Sequence, residues 1–207
     1  LAQQWARQQG AHWFWLDKQR QQSRVLLRYG RLEFYFDFAP LRAPSLIEDL
    51  HLRDFTINSM ALPLVTPLTD QQLIDPLQGR EALQSFSLRQ CSEKSMEDDP
   101  LRILKGIRHC VELDLSITSE TEIYMRKLAG SLSNSAGERK RNEIGRIFSS
   151  NNLESGLSLL EQCSLFSVLF GQPTDEFSSS DASSHLMFLN KRLHQWSKSS
   201  GNAPEPA

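Results

Sequence analysis

The chain has 207 residues, 39% hydrophobic and 23% charged, with a formal net charge of −2. That composition builds a globular core and excludes wholesale disorder, and no apolar run approaches the roughly 18 residues of a bilayer span, so no membrane partner is expected. Near neutrality leaves any nucleic-acid binding to local basic patches rather than to a global field.

In chain order, Leu1 to Gln9 reads as the end of a helix stopped by Gly10. His12 to Leu16 is a short aromatic strand. Arg24 to Arg28 and Leu32 to Phe38 are two more strands about a turn at Tyr29-Gly30-Arg31. Phe34, Phe36 and Phe38 alternate with Glu33, Tyr35 and Asp37. Ser45-Leu46-Ile47-Glu48 is a capping-box pattern opening a short helix through Leu52. Met60 to Val65 and Gln72 to Ile74 read as short strands, and Asp75-Pro76 begins a turn before another brief helix.

From Pro100 the texture becomes helical. Ile103, Leu104, Ile107 and Val111 form an apolar stripe, with Arg102, Lys105 and His109 opposite. Further helices are expected at 119–129, 138–149 and 153–163, and a weak one at 185–197 in a Ser-rich region that ends in a polar tail. The reading is an α/β part over 1–90, a helical part over 91–171 and a polar tail over 172–207. Cys91, Cys110 and Cys163 are too few and too widely spaced for a disulfide framework or a Cys-x-x-Cys metal site. They read as small buried residues in a cytoplasmic protein. The chain starts Leu1-Ala2-Gln3, without Met and without a signal-peptide pattern, which reads as a fragment or as a chain whose preceding residues are absent.

Two clusters carry chemistry. Arg53-Asp54-Phe55-Thr56-Ile57-Asn58-Ser59-Met60-Ala61 places an Arg-Asp pair and an Asn beside an apolar segment. On the residues alone, the pair reads as a structural salt bridge before it reads as a binding element. Glu97-Asp98-Asp99-Pro100-Leu101-Arg102 places acids before a Pro that suits a first helical turn, and on the residues alone they read as helix capping before a functional cluster. Arg139-Lys140-Arg141 with Arg146 forms a basic patch on one helix, and Arg20, Arg24, Arg28 and Arg31 form another; each suits phosphate contact or an ordinary solvated face. The five His residues show no metal-ligand spacing, and Trp5, Trp13 and Trp15 read as core rather than as a stacking platform.

Arg53 to Ala61 resembles the RDFTINAMA signature of the bacterial-type (class II) CCA-adding tRNA nucleotidyltransferases and poly(A) polymerases. The agreement continues in the family's order. Asp37-Phe-Ala-Pro-Leu-Arg42 and Glu48-Asp49-Leu50 resemble the elements before the signature. Ile74-Asp75-Pro76 with Gly79 resembles the IDP-x-x-G turn, Asp98 to Arg102 the EDxxR motif, and Glu138-Arg139 with Glu143 the ER-x-x-x-E motif. Asp98 stands where the family usually has Glu, Lys105 where it often has Arg, and His109 where it often has Phe, while Arg108 matches.

The resemblance implies an α+β chain: part of a nucleotidyltransferase (polymerase β-like) head domain, then an all-α neck. It implies template-independent addition of C and A, or of A alone, to RNA 3′ ends from CTP and ATP, with a tRNA 3′ end as partner. Asp99 and Arg102, three apart in a helix, would read the donor–acceptor edge that cytosine and adenine share. Arg53, Asp54 and Asn58 would hold ribose and triphosphate, with Arg108 beside the nucleotide. Glu138 and Arg139 would organise the neck helices around the pocket, while Lys140, Arg141 and Arg146 would meet RNA phosphate. The family works with two Mg²⁺ ions held by a D-x-D pair and a third carboxylate. Asp37 matches the third, and neither D-x-D nor its preceding GG-x-x-R-D loop is found. This stretch alone is therefore expected to be inactive, with its α/β half the less stable. The alternative reading is a non-catalytic nucleotide- or RNA-binding remnant of the same family.

Overall fold

The structure is a computed structural model that describes residues 1–64, 67, 69–150 and 152–170. The expected helix at 185–197 and the polar tail lie outside the described residues. The chain divides into two compact units, Leu1–Asp49 and Leu50–Ala207.

In the first unit, α1 (Ala2–Gln8) ends as expected at Gly10, which takes the left-handed φ of +63° while Ala11 N–H donates back to Ala6 O at 2.9 Å. Three strands follow: β1 (His12–Asp17), β2 (Gln22–Tyr29) and β3 (Leu32–Phe38). They form an antiparallel meander in the order β1-β2-β3. Gly30, at φ +61°, allows the tight turn that pairs Tyr29 with Leu32. The register sets Val25 between Trp13 and Phe36, and Arg24 between Phe14 and Asp37. Trp5 of α1 packs on the first of these faces, edge-on to Phe36 at 5.0 Å and tilted on Phe38 at 5.8 Å. Trp13 and Trp15 meet at 4.9 Å, but Trp15 is 43% exposed and Trp5 and Trp13 are only half-buried, so the three tryptophans pack on one another and on the sheet without entering a closed core. The buried hydrophobic residues of this unit are Ala6 and Val25, while Phe14, Trp15, Leu16, Phe34 and Tyr35 remain exposed. The capping box forms as the sequence predicts: Ser45 N–H donates to the Glu48 carboxylate and Glu48 N–H to Ser45 Oγ. It opens α2 (Leu46–His51).

The second unit is built round one helix. After a 3₁₀ turn (Thr56–Asn58), Ala61 and Ile74 form an isolated antiparallel bridge. The strands expected at 60–65 and 72–74 reduce to that bridge among the described residues, and Val65 lies outside them. Pro63 and Pro67 remove the donors that a longer ladder needs. A second 3₁₀ turn (Asp70–Gln72) leads to α3 (Gly79–Gln84). Both Asp75 carboxylate oxygens cap it, accepting from Gly79 N at 2.7 Å and Arg80 N at 2.9 Å. β4 (Ser87–Leu88) pairs in parallel with β5 (Ser116–Ile117). Between them lie α4 (Lys94–Asp98) and α5 (Leu101–Leu113). There follow α6 (Ser119–Leu128), a 3₁₀ segment (Ala129–Asn134), α7 (Gly137–Phe148), α8 (Leu153–Gln162) and α9 (Phe166–Phe170).

The α5 stripe behaves as its spacing predicts. Ile103, Leu104 and Ile107 are wholly buried and Val111 nearly so, and α5 packs against α4, α7 and α8. Phe55, Ile57, Ala82 and Leu88 belong to the same core cluster as these helices. The sequence texture changes near residue 90, whereas compactness divides the chain at Asp49/Leu50, because the 53–88 segment feeds its apolar side chains into the helical core. All three cysteines are free thiols, and Cys110 and Cys163 are buried in this core.

Candidate functional site

Asp54 anchors the site. Phe55, with no exposed surface, plugs the core next to it and so holds the Asp54 backbone against α5. The Asp54 carboxylate is 7% exposed and forms an ion pair with Lys105 Nζ. Its Oδ1 accepts from Phe55 N–H at 3.0 Å and from Asn58 Nδ2 at 3.4 Å. Burial pushes its pKa up. The Lys105 bond and charge and the two donors outweigh that, and hold it below the ordinary value of 3.8. Asn58 Nδ2 also meets His109 Nε2 at 3.1 Å. Burial, then the charges of Arg108 and Lys105, lower the His109 pKa to about 4, so the ring is neutral near pH 7.

The expected pairing of Asp99 with Arg102 along one helix is corrected in its geometry. Pro100 holds Asp99 extended (φ −149°, ψ 95°), so Asp99 lies between α4 and α5 rather than within a helix. Glu97 and Asp98 likewise close α4 rather than lead into α5. Asp99 Oδ1 accepts from Leu101 N–H at 3.2 Å, and Oδ2 accepts from Arg139 Nη2 of α7 at 2.8 Å. Arg102 sits in the first turn of α5, its Nη1 held by the carbonyls of Leu52 at 3.2 Å and Ser95 at 2.9 Å. Each oxygen of a carboxylate has two acceptor positions, so Asp99 keeps capacity for a ligand.

Arg108 is 5% exposed and serves the interior: Nε donates to Glu143 at 2.7 Å and Nη1 to Glu112 one turn on. Arg146 closes that network on Glu112 at 2.8 Å. Lys140 Nζ donates to the carbonyls of Leu132 and Ser133, whereas Glu138 and Arg141 are exposed on α7. The second basic patch is largely neutralised in place, since Arg20, Arg24 and Arg28 pair with Asp17, Asp37 and Glu33.

Asp37, in the first unit, is gripped by both arms of Arg24, at 2.6 Å from Nε and 2.8 Å from Nη2. That bond, more than the opposing effect of burial, holds its carboxyl below the ordinary range. Among the described residues no three His, Cys, Asp or Glu side chains gather where a metal ion could sit. The residues present therefore do not fit a two-metal centre: one carboxylate, already ion-paired, supplies too few oxygen ligands.

The sequence singles out Asp54, Asn58, Asp99, Arg102 and Arg139 but not their pairing: Lys105 for Asp54, His109 for Asn58, and Arg139 for Asp99. The signal for Lys105 and His109 is a polar row, Arg102, Lys105 and His109, on a helix whose surroundings are almost all core.

Comparison with known proteins follows the same lines. Residues 14–89 match the poly(A) polymerase head domain, and residues 114–176 match a probable RNA- and SrmB-binding site of polymerase A. The chain is 37% identical over 138 residues to a CC-adding tRNA nucleotidyltransferase of Geobacter sulfurreducens, covering 67% of this chain and 31% of that one. It is 34% identical over 141 residues to an A-adding tRNA nucleotidyltransferase of Deinococcus radiodurans, covering 66% of this chain and 31% of that one. The chain thus spans about a third of the length of the curated relatives it matches. Among solved structures, a Thermotoga maritima CCA-adding enzyme complexed with tRNA aligns over 98% of this chain and 48% of its own, with a TM-score of 0.74 and 25% identity. A CCA-adding enzyme in complex with ATP aligns over 99% and 48%, at 0.73 and 26%.

Proposed function

The chain belongs to the bacterial-type CCA-adding and poly(A) polymerase family of nucleotidyltransferases, and from that premise we propose that its second unit binds and selects the nucleotide in template-independent addition of C or A to a tRNA 3′ end. The observation that carries this reading is that Asp54 and Asn58 meet Lys105 and His109 of α5, while Asp99, at the start of the same helix, is tied to Arg139 of α7. Asp99 accepts from the exocyclic amine of cytosine or adenine, and Arg102 donates to the neighbouring ring nitrogen; guanine and uracil present the opposite pattern. Arg102 enters this exchange with one nitrogen already fixed on two backbone carbonyls, which limits the entropy lost on binding. Arg53, Asp54 and Asn58 hold the sugar and phosphates. Glu138 and Arg139 order the neck over 91–171, and Lys140, Arg141 and Arg146 meet tRNA phosphate in the cytoplasm. Arg108 acts through the ion network that fixes α5 to α7 rather than by touching the nucleotide.

In this family nucleotidyl transfer is assisted by two Mg²⁺ ions, and the described residues do not assemble a site for them. Asp37 is the one carboxylate assigned to that role. A specific observation therefore supports a second reading for the chain taken alone: the Arg24–Asp37 pair stands where a free ligand is needed, which fits a module that binds nucleotide without transferring it.

Equilibrium dialysis of the intact chain with each nucleotide separates these readings from a purely structural role. ATP and CTP are expected to bind at least about tenfold more tightly than GTP and UTP, with Asp99→Ala abolishing the preference. Equal binding of all four nucleotides overturns the base-reading assignment. A primer-extension gel with a tRNA lacking its 3′ end, CTP, ATP and Mg²⁺ then tests transfer, with Asp37→Ala as control. Extension that the control abolishes rejects the binding-only reading.

A further inference from the structure

Glu112 lies in none of the sequence patterns described above, yet it accepts from two arginines. Arg108 Nη1 donates to it from one turn earlier on α5, and Arg146 Nη2 reaches it from α7 at 2.8 Å. With Arg108 Nε on Glu143 at 2.7 Å and Arg139 on Asp99 at 2.8 Å, these bonds make a seam of alternating charge. The α5 side reads Asp99, Arg108, Glu112, and α7 answers with Arg139, Glu143, Arg146. The three α7 residues stand four and three positions apart, so they share one helix face. Partners rise in number together, so α5 and α7 run parallel along the seam.

Apolar packing selects this register only weakly. Ile107 and Val111 of α5 and Ile144 and Ile147 of α7 are aliphatics of one cluster, much alike from turn to turn. The charges discriminate. A slip of α7 by one turn in one direction sets Glu143 against Asp99 and Arg146 against Arg108. The opposite slip sets Arg139 against Arg108 and Glu143 against Glu112. Each pairs like charges in a seam whose middle is shielded, the side chains of Arg108, Glu143 and Glu112 being 6%, 18% and 30% exposed. The Asp99–Arg139 pair lies at the more exposed end, where screening leaves it too weak to set its own register.

We infer that Glu112 is a positioning residue: by holding Arg108 and Arg146 together it fixes the register of α7 on α5, and so places Arg139 against Asp99. This inference rests on the nucleotide-selection reading above and adds to it a residue that acts through α7.

The first test needs no nucleotide. Leu113 of α5 and Asn142 of α7 are exposed, and the thiols of Cys110 and Cys163 are buried. Spin labels at Leu113→Cys and Asn142→Cys, with Cys91→Ser, therefore report the register of the intact chain by pulsed electron paramagnetic resonance. The parent sequence should give one distance. Glu112→Lys sets a third cation between Arg108 and Arg146 and should add a population displaced by several ångströms, since one helical turn advances about 5.4 Å. A single unshifted distance overturns the register role. The second test measures ATP and GTP by equilibrium dialysis. Glu112→Gln should cut the preference for ATP by about fivefold, and Glu112→Asp, which keeps the charge, should recover most of it. In an Arg139→Ala background, Glu112→Gln should change the preference no further, because the route to Asp99 is already cut. Equal weakening of ATP and GTP marks a merely structural role and overturns the inference, as does an additive loss in the double variant. Absence of any ATP preference in the parent chain overturns the base-reading assignment instead, while the spin-label distances still decide the register.

Discussion

Arg139 reaches Asp99 at 2.8 Å from a helix 40 positions further along the chain. The Arg139 side chain is 56% exposed and that of Asp99 32%, so solvent screens their attraction and the pair stabilises the fold by only about 0–1 kcal/mol. Its work is orientation. Arg139→Ala should leave the urea midpoint nearly unmoved while cutting the preference for ATP over GTP by about tenfold, measured by equilibrium dialysis. A large stability loss with selectivity intact would reverse this assignment.

Lys105 has the opposite profile, because its partner is buried. Lys105→Ala leaves the Asp54 carboxylate without its cation in the interior, at a cost of about 1–3 kcal/mol given the partial exposure of the lysine. Lys105→Arg retains the charge and should cost less. Urea denaturation of the two variants checks the order.

Gly79 is required by space rather than by turn geometry. A Cβ there would lie 2.2 Å from the carbonyl oxygen of Thr56 and 3.0 Å from Met60 Cγ. Backbone cannot yield as a side-chain tip can, so Gly79→Ala should destabilise by about 2–3 kcal/mol. A thermal melt matching the parent protein contradicts that close approach.

Acid should weaken the fold in two stages. The unfolded chain protonates His109 near 6.5, but the folded chain resists until about 4, so stability is full above 6.5 and falls as pH drops through that window. The depressed Asp54 carboxyl contributes stability above its unfolded value of 3.8 and loses it below, as pH falls towards its folded value. Urea midpoints at pH 7 and 4.5 should therefore differ in the native chain and converge in His109→Phe.

The two units should also open separately. Residues 1–49 bury Ala6 and Val25 as their hydrophobic core, and β1 and β3 are both edge strands of a three-stranded sheet. α5, in contrast, is lined by residues with no exposure. Hydrogen exchange followed by mass spectrometry should show the strand amides exchanging well before those of α5; equal protection refutes a weaker first unit.

Local periodicity made much of this fold readable. Phe34, Phe36 and Phe38 announce a strand by alternation, and Ile103, Leu104, Ile107 and Val111 a helix by spacing, because each pattern lies within one element. Ser45 to Glu48 announces its capping box for the same reason. What stayed hidden depends on distant partners. β4 and β5 are two residues each and exist only because Ser87 finds Ser116. α4 is five residues long, too short to register a period, and the extended residue before Pro100 separates it from α5. At the site, the motif residues were legible as chemistry, but the pairing of Asp54 with Lys105, of Asn58 with His109 and of Asp99 with Arg139 joins segments that no local window contains.

The span between Asp54 and Lys105 also sets a schedule for the growing polypeptide. The two are 51 residues apart, and at about 5–20 residues per second the ribosome takes roughly 3–10 s to deliver the lysine after the aspartate. Through that interval the charge of Asp54 flanks Phe55 and Ile57, whose core cluster is completed only once α5 emerges. The carboxylate that later anchors the site thus serves first as a gatekeeper, keeping an apolar nascent segment soluble until its cation arrives.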